Sequence, residues 1–350
     1  MTGQVVLIEG REPQREIGEY KHLVDFCREA NYFSHWDYLT MIQRVTKGKI
    51  VLFLAYDKDE LIGALPAIMK EGKYGRVINS LPFYGSNPGL IVSSGEHIGV
   101  KNFLMNMFWY VTEPFLSATL IESPMERNRG IYDNYPPTFI DSRVSLYNVF
   151  PNDPSELMNG YHPKTRNLVR KAEKAGVIVT LEKKYKKAIK QIEDIHVENM
   201  QSIGALPKPG VFFDWLENDC NFFNIRVYTA KLNKEIIAGL ILFVHNDIAE
   251  YYMPAIKAEW RHVAPLNLII HRAMIDCMVH HVKYWNWGGT TLPSQAGVYH
   301  FKKRFGAQES IYRYFIRVQG DVVKYSREQL AEEYPHFYVV PYCALEGGSA

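Results

Sequence analysis

The chain has 350 residues, of which 47% are hydrophobic and 22% charged, a balance that excludes collagen-like, coiled-coil and disordered chains. At about 100–200 residues per domain, the length predicts two domains, each large enough to bury a core. A formal net charge of +2, from 40 basic and 38 acidic side chains, identifies no partner by itself.

Hydrophobic periodicity predicts helices over residues 17–30 and 36–45. A strand pair follows at 50–56 and 61–69, rich in branched apolar residues, with a turn at Asp57-Lys-Asp-Glu60. Further helices are expected over 100–112, 163–175, 187–200 and 265–281. Pro163 suits the first turn of the 163–175 helix and Gly176 its left-handed stop. Leu168, Val169, Ala172 and Ala175 share its apolar face, opposite Arg166, Arg170 and Lys174. A second strand pair at 225–231 and 236–244 repeats the first at an offset of 175 residues, aligning Ala55 with Ala230, Ile62 with Ile237 and Leu65 with Leu240. A helix bearing a tryptophan (Trp36, Trp215) precedes each pair, so a duplicated α/β unit is expected. Strands at 247–253, 282–287 and 311–318 complete a mixed pattern. It argues for α/β or α+β units with a partly antiparallel sheet.

Charge is unevenly spread. Residues 164–190 hold ten basic side chains against Glu173 and Glu182, net +8, and the remaining 30 basic and 36 acidic residues carry −6. Such a strip predicts an anionic, phosphorylated partner. The cysteines (Cys27, Cys220, Cys277, Cys343) form no C-x-x-C pair. Neither a disulfide framework nor a zinc site is expected, and reduced thiols fit the cytoplasm. No basic and apolar leader opens the chain, and no apolar run reaches about 18 residues, so neither a signal peptide nor a membrane span is expected; peripheral membrane contact stays open. Residues 345–350 read as a linker-like tail. Phosphate-loop, dinucleotide, metalloprotease and hydrolase-elbow motifs are absent, and no metal ligand set is predicted.

Four runs occur in order: LPFYGSN from Leu81, HPKTRNLVRKA from His162, His196-x-x-Asn199-Met200 before Gly204, and GVYHFKKRFG from Gly297. Together they resemble the Fem-like branch of the GNAT acyltransferase superfamily, which includes peptidoglycan-bridge aminoacyl ligases and BioF2-like acyltransferases. The resemblance covers about residues 30–320. It implies two tandem GNAT domains, residues 1–150 and 151–319, with 320–344 returning to complete the first. It also implies acyl transfer to an amine. The donor would be an acyl-CoA, an acyl carrier protein or an aminoacyl-tRNA. Where superfamily members place a glycine-rich pyrophosphate loop, this chain reads Arg261-His-Val-Ala-Pro-Leu266, and proline removes an N–H donor.

The resemblance puts Lys302, from its F-K pair, at the developing oxyanion, where one donor contributes about 3–4 kcal/mol. Phe301 would wall the same site. Lys164, Arg166 and Arg170 are candidate phosphate ligands, arginine being suited to bidentate contact. Tyr84 and Asn87, on a loop, could stack on and hydrogen-bond a sugar or peptide. His196 and Glu250 are candidate proton acceptors, and Trp287 a candidate pocket floor. The reading expected first is amide formation on a phosphorylated or nucleotide-linked amino sugar of a cell-envelope polysaccharide. The alternatives are an aminoacyl-tRNA-dependent ligase acting on a peptidoglycan or other peptide precursor, and a non-catalytic binding module. DNA is not an expected partner.

Overall fold

Branched apolar residues around a short polar turn make each predicted strand pair a hairpin, and the two hairpins anchor two separate units. A computed structural model describes residues 1–8, 13–83, 85–93, 98–126, 128–219, 224–291 and 296–345. The chain divides into Met1–Arg143 with Ile311–Ala350, and Val144–Ser310.

In the first unit, β1 (Thr2–Leu7), α1 (Gln14–Phe26) and α2 (Trp36–Thr46) precede the hairpin of β2 (Lys49–Asp57) and β3 (Glu60–Gly72). β4 (Gly75–Asn79), the short β5 (Ile91–Val92), α3 (Ile98–Val111) and β6 (Ser117–Ile121) follow. β7 (Phe139–Val149) carries the chain into the second unit, which holds α4 (Pro163–Lys174), β8 (Ile178–Leu181), α5 (Lys186–Ser202) and α6 (Gly210–Asn218). The second hairpin is β9 (Ile225–Leu232) with β10 (Glu235–His245), then β11 (Ile248–Ile256), α7 (Pro265–Val279), β12 (Tyr284–Thr291) and α8 (Ala296–Lys303). β13 (Gln308–Val318) returns to the first unit, which α9 (Arg327–Glu333) and a C-terminal segment complete.

The strand order is β1-β2-β3-β4-β6-β13 in the first unit and β7-β12-β11-β10-β9-β8 in the second. The pairs β4–β6 and β11–β12 are parallel, while the hairpins are antiparallel. This is a mixed α/β fold. The repeat extends to a defect. β2–β3 pairs Tyr56 with Leu61 and Ala55 with Gly63, leaving Ile62 as the extra residue of a bulge. β9–β10 pairs Lys231 with Ile236 and Ala230 with Ala238, leaving Ile237 extra. Ile62 and Ile237 are 175 residues apart. A bulge re-aims a strand at a fixed position, so the offset preserves local geometry as well as composition.

Each unit has its own core. In the first, Phe53, Leu65 and Ala67 pack with Leu104 and Phe108 of α3. In the second, Leu240, Leu242, Trp285 and Trp287 pack with Leu268, Ile269 and Met274 of α7. The opposite face of the second sheet meets α5, where a Cβ on Gly239 would stand 2.3 Å from Ile192. The equivalent closeness in the first unit falls one residue earlier, at Gly63 against Val100 of α3.

α4 starts and stops as predicted: His162 caps Lys164 N–H, Pro163 occupies the first turn, and Gly176 has φ +79°. Its buried face is Thr165, Val169 and Ala172; Leu168 is half-buried and Ala175 exposed, a correction to the apolar stripe read from sequence. Ala175 caps the helix rather than extending its face, because the chain already turns there into Gly176. Among the described residues, no helix is long and apolar enough to cross a membrane. Cys27 and Cys277 are buried free thiols and Cys343 is an exposed one; Cys220 and residues 346–350 lie outside the described residues.

Candidate active site

The second unit contains a fork. β11 and β12 pair in parallel over three rungs, Ile248 with Tyr284, Ala249 with Trp285 and Glu250 with Asn286. Past that last rung β11 continues to Ile256 and β12 to Thr291 with no further pairing between them among the described residues. Glu250 also lies opposite Phe243 of β10. It therefore faces the α5–α6 side, where Phe243 meets Trp215 of α6 and Tyr252. A polar row crosses this face at the mouth of the fork: Glu250, Asn286 and Ser145. Ser145 Oγ donates to Asn286 Oδ1 at 3.2 Å, and Gly288 N–H donates to the same oxygen at 3.0 Å. Glu250 Oε1 and Asn286 Nδ2 are buried and have no hydrogen-bond partner among the described residues.

Glu250 is 2% exposed. Burial pushes its carboxyl up to about 8; Asn286 lies close enough to draw it down in part, but without hydrogen-bond geometry. The carboxyl thus keeps its proton at neutral pH and is a weak base there, a different state from the ionised acceptor expected of it.

Lys302, 7% exposed, donates through Nζ to the carbonyl of Trp287 at 2.7 Å, one residue beyond the last rung. Burial lowers its ammonium to about 8. It remains largely cationic at neutral pH and, as an ammonium, has two further N–H donors. The F-K-x-x-F-G run explains its placement. Phe305 is buried against Tyr161, Trp287 and Phe301, at 5.1, 5.2 and 5.4 Å between ring centroids. Gly306 has φ +79°, and a Cβ there would lie 2.5 Å from the Gly160 carbonyl oxygen. Asn148 ties both ends, donating to Phe305 O at 3.0 Å and accepting from Trp287 Nε1 at 2.7 Å. Phe301 is half-buried against this cluster, whereas Trp287 is fully buried within the core, so its ring is packing rather than an open pocket floor.

His196 sits on α5 with Nε2 accepting from Lys208 N–H at 3.1 Å. Burial, then Lys208, lowers it to about 4. The ring is neutral with its lone-pair nitrogen engaged, which removes the proton-acceptor geometry expected for it. Lys208 was missed in the sequence. It is buried, lowered by burial to about 7, and its Nζ lies 4.5 Å from the ring centroid of Tyr252 and 5.5 Å from that of Phe212. A lone lysine between two prolines gives no periodic signal; only the fold brings it over Tyr252.

The cationic strip is in two parts. On α4, Lys164 and Arg170 are exposed, and Arg166 is half-buried with Nη1 donating to Tyr161 O at 2.6 Å. Further on, Lys190 pairs with Glu193 at 2.8 Å and Lys231 with Glu182 at 2.7 Å, so the second cluster is partly neutralised locally. Asn87 lies in the first unit, fully buried, with Asn31 Nδ2 donating to its carbonyl at 2.9 Å. That burial is unlike the exposed sugar- or peptide-binding loop expected. Tyr84 lies outside the described residues. Among the described residues, no cluster of three or more His, Cys, Asp or Glu side chains could hold a metal.

The α7 start differs from a glycine loop. Ala264 adopts φ +57°, its N–H bonds to Arg261 O at 3.1 Å, and Pro265 follows without an N–H.

No curated protein matches the chain in sequence. A family model described as an acetyltransferase (GNAT) domain matches residues 162–303. Among solved structures, FemX superposes with a TM-score of 0.68 at 12% identity, covering 89% of this chain and 97% of FemX. A DUF2156 C-terminal domain from Agrobacterium fabrum gives 0.61 at 10% identity, over 93% of this chain and 99% of that one. A tandem GNAT protein from the clavulanic acid biosynthesis pathway gives 0.51 at 11%, over 91% and 100%. The chain therefore has the fold of the GNAT superfamily, with structural similarity to FemX and to DUF2156 and tandem GNAT proteins.

Proposed function

We propose that this protein is an amide-forming acyltransferase that moves an aminoacyl group from tRNA to an amine of a peptide precursor, using the fork of the second unit. The two units are read as duplicated GNAT domains, on the shared offset and bulge. The amine nitrogen attacks the acyl carbonyl carbon, the ester C–O bond breaks, and the amine proton leaves on the departing oxygen. Lys302 donates to the oxyanion formed in between. Lys164, Arg170 and the free edge of Arg166 meet phosphates of the donor.

The observation that carries the choice of donor is the start of α7. An amide-poor Ala264-Pro265 turn, its one N–H already used, is a weak cradle for a CoA pyrophosphate. The similarity to FemX agrees with the Fem-like motifs. A second reading, acyl-CoA or carrier-protein donor with a phosphorylated or nucleotide-linked amino sugar, is favoured by the match to an acetyltransferase domain. A filter assay with radiolabelled aminoacyl-tRNA and a lysine peptide, run beside acetyl-CoA and glucosamine 6-phosphate, decides between them. Transfer in the first pair alone supports the proposal. Transfer in the second alone overturns the donor and acceptor. No transfer with either returns the chain to a binding role.

A further inference from the structure

Both units contain a parallel strand pair that opens after three rungs, and the two forks differ in what meets them. In the first unit the rungs are Val77 with Ser117, Ile78 with Ala118 and Asn79 with Thr119. Asn79 pairs across β3 with Ile68, as Glu250 pairs across β10 with Phe243. Ile68 and Phe243 are again 175 residues apart. Asn79 and Glu250 thus hold equivalent places, as do Thr119 and Asn286.

The first fork is filled by the chain's own C-terminal segment. Asn79 Nδ2 donates to the Tyr338 carbonyl at 2.8 Å, and Tyr338 N–H donates to Asn79 Oδ1 at 2.8 Å. Thr119 Oγ1 donates to the same carbonyl at 3.0 Å, and Ser117 Oγ to the Val339 carbonyl at 2.5 Å. One carboxamide therefore reads the N–H and C=O of a single residue. At the second fork the equivalent atoms, Glu250 Oε1 and Asn286 Nδ2, are buried without a partner among the described residues. Buried polar atoms are nearly always paired. A protonated carboxyl offers one donor and one acceptor, the same set as a carboxamide.

We infer that the second fork binds a peptide main chain, its N–H and C=O meeting Glu250 and Asn286 as those of Tyr338 meet Asn79 and Thr119. This rests on the reading of the second unit as the transferase, and it makes the peptide acceptor's own backbone the recognised feature. Glu250 must carry its proton to donate. The titratable groups packed on its face are His196 of α5, Lys208 before α6, and Tyr252 of its own strand. His196 is neutral, and Asn286 and Ser145 are uncharged neighbours. As pH rises through about 8 the proton is lost, and the donor with it.

The test uses the full chain and calorimetric binding of acetyl-Ala-Lys-Ala-amide, its analogue N-methylated at the lysine amide, glucosamine 6-phosphate, and pantetheine, which has secondary amides but no peptide backbone. The parent peptide should bind, with the N-methyl analogue weaker by about tenfold or more for the lost hydrogen bond. Affinity for the peptide should fall by about tenfold between neutral pH and pH 9.5, on the same hydrogen-bond cost. Glu250→Gln, which offers the same donor and acceptor without titrating, should retain binding and lose that pH dependence. Equal binding of the N-methyl analogue, an unchanged pH profile in Glu250→Gln, or preference for pantetheine or the amino sugar would overturn the assignment. The N-methyl comparison needs no variant and stands if Glu250→Gln folds poorly. Acyl transfer is measured in parallel. Peptide binding of the expected kind with no acyl group consumed removes the transferase and leaves this site. Transfer that is indifferent to N-methylation removes this site and leaves the transferase.

Discussion

Lys302 and Glu250 have opposite chemistry and the same cause of perturbation: burial moves the ammonium down and the carboxyl up, each to about 8. The signs separate their effects. Lys302 must be cationic to stabilise an oxyanion, so turnover should fall as pH rises through about 8, read from a kcat profile. Lys302→Ala should lower kcat about 100-fold or more, with KM changed far less, as removal of an oxyanion donor does; a near-normal kcat removes the assignment. Glu250 has a folded value above its unfolded one, so its stabilising contribution is full below about 4.5 and is lost progressively as pH rises to about 8. Glu250→Gln should therefore gain thermal stability relative to the parent between those limits. Melting curves that shift in parallel at all pH values would contradict the buried neutral carboxyl. At this scale the sequence was only partly legible. Lys302 was reachable through its motif, and Glu250 as a carboxylate on an expected strand. Its protonation was not, because burial depends on Phe243 and Asn286, which lie on two other strands.

Elements set those residues in place, and glycines mark where elements touch. Gly306 ends the F-K-x-x-F-G run against the Gly160 carbonyl, in a conformation that side chains rarely adopt. Gly306→Ala should destabilise the chain by about 1–3 kcal/mol and lower turnover, because it displaces α8 and with it Nζ of Lys302; urea unfolding and kcat together test this. The hairpins were legible at the level of a single bulge, because strand, turn and strand are contiguous and their register is local. The short α6 and α8 were not predicted, having too few turns for a clear period. The exposed face of α4 was legible as charge, and its use is measurable. Replacing Lys164 and Arg170 with Ala should weaken aminoacyl-tRNA binding. The slope of log affinity against log salt should become shallower by about 0.7 for each phosphate that is no longer neutralised. An unchanged slope would place the RNA elsewhere.

For the whole molecule, the 175-residue offset makes two copies of one fork, and a distant strip of chain decides how the first copy is used. Residues 336–339 return across more than 200 positions to fill the first fork. No local pattern announces such a closure, and both unit boundaries fall inside strands, β7 and β13, rather than in linkers that composition would reveal. Asn79→Leu should cost about 2–4 kcal/mol in urea unfolding, since Tyr338 then has a buried N–H and C=O left short of partners. The account's central claim is that the second fork performs aminoacyl transfer to a peptide amine. The most direct measurement is label transfer from aminoacyl-tRNA to acetyl-Ala-Lys-Ala-amide by the intact chain and by Lys302→Ala. Transfer by the parent chain, reduced about 100-fold in the variant, is the predicted result. Absence of transfer from the parent, or equal transfer by both, would contradict it.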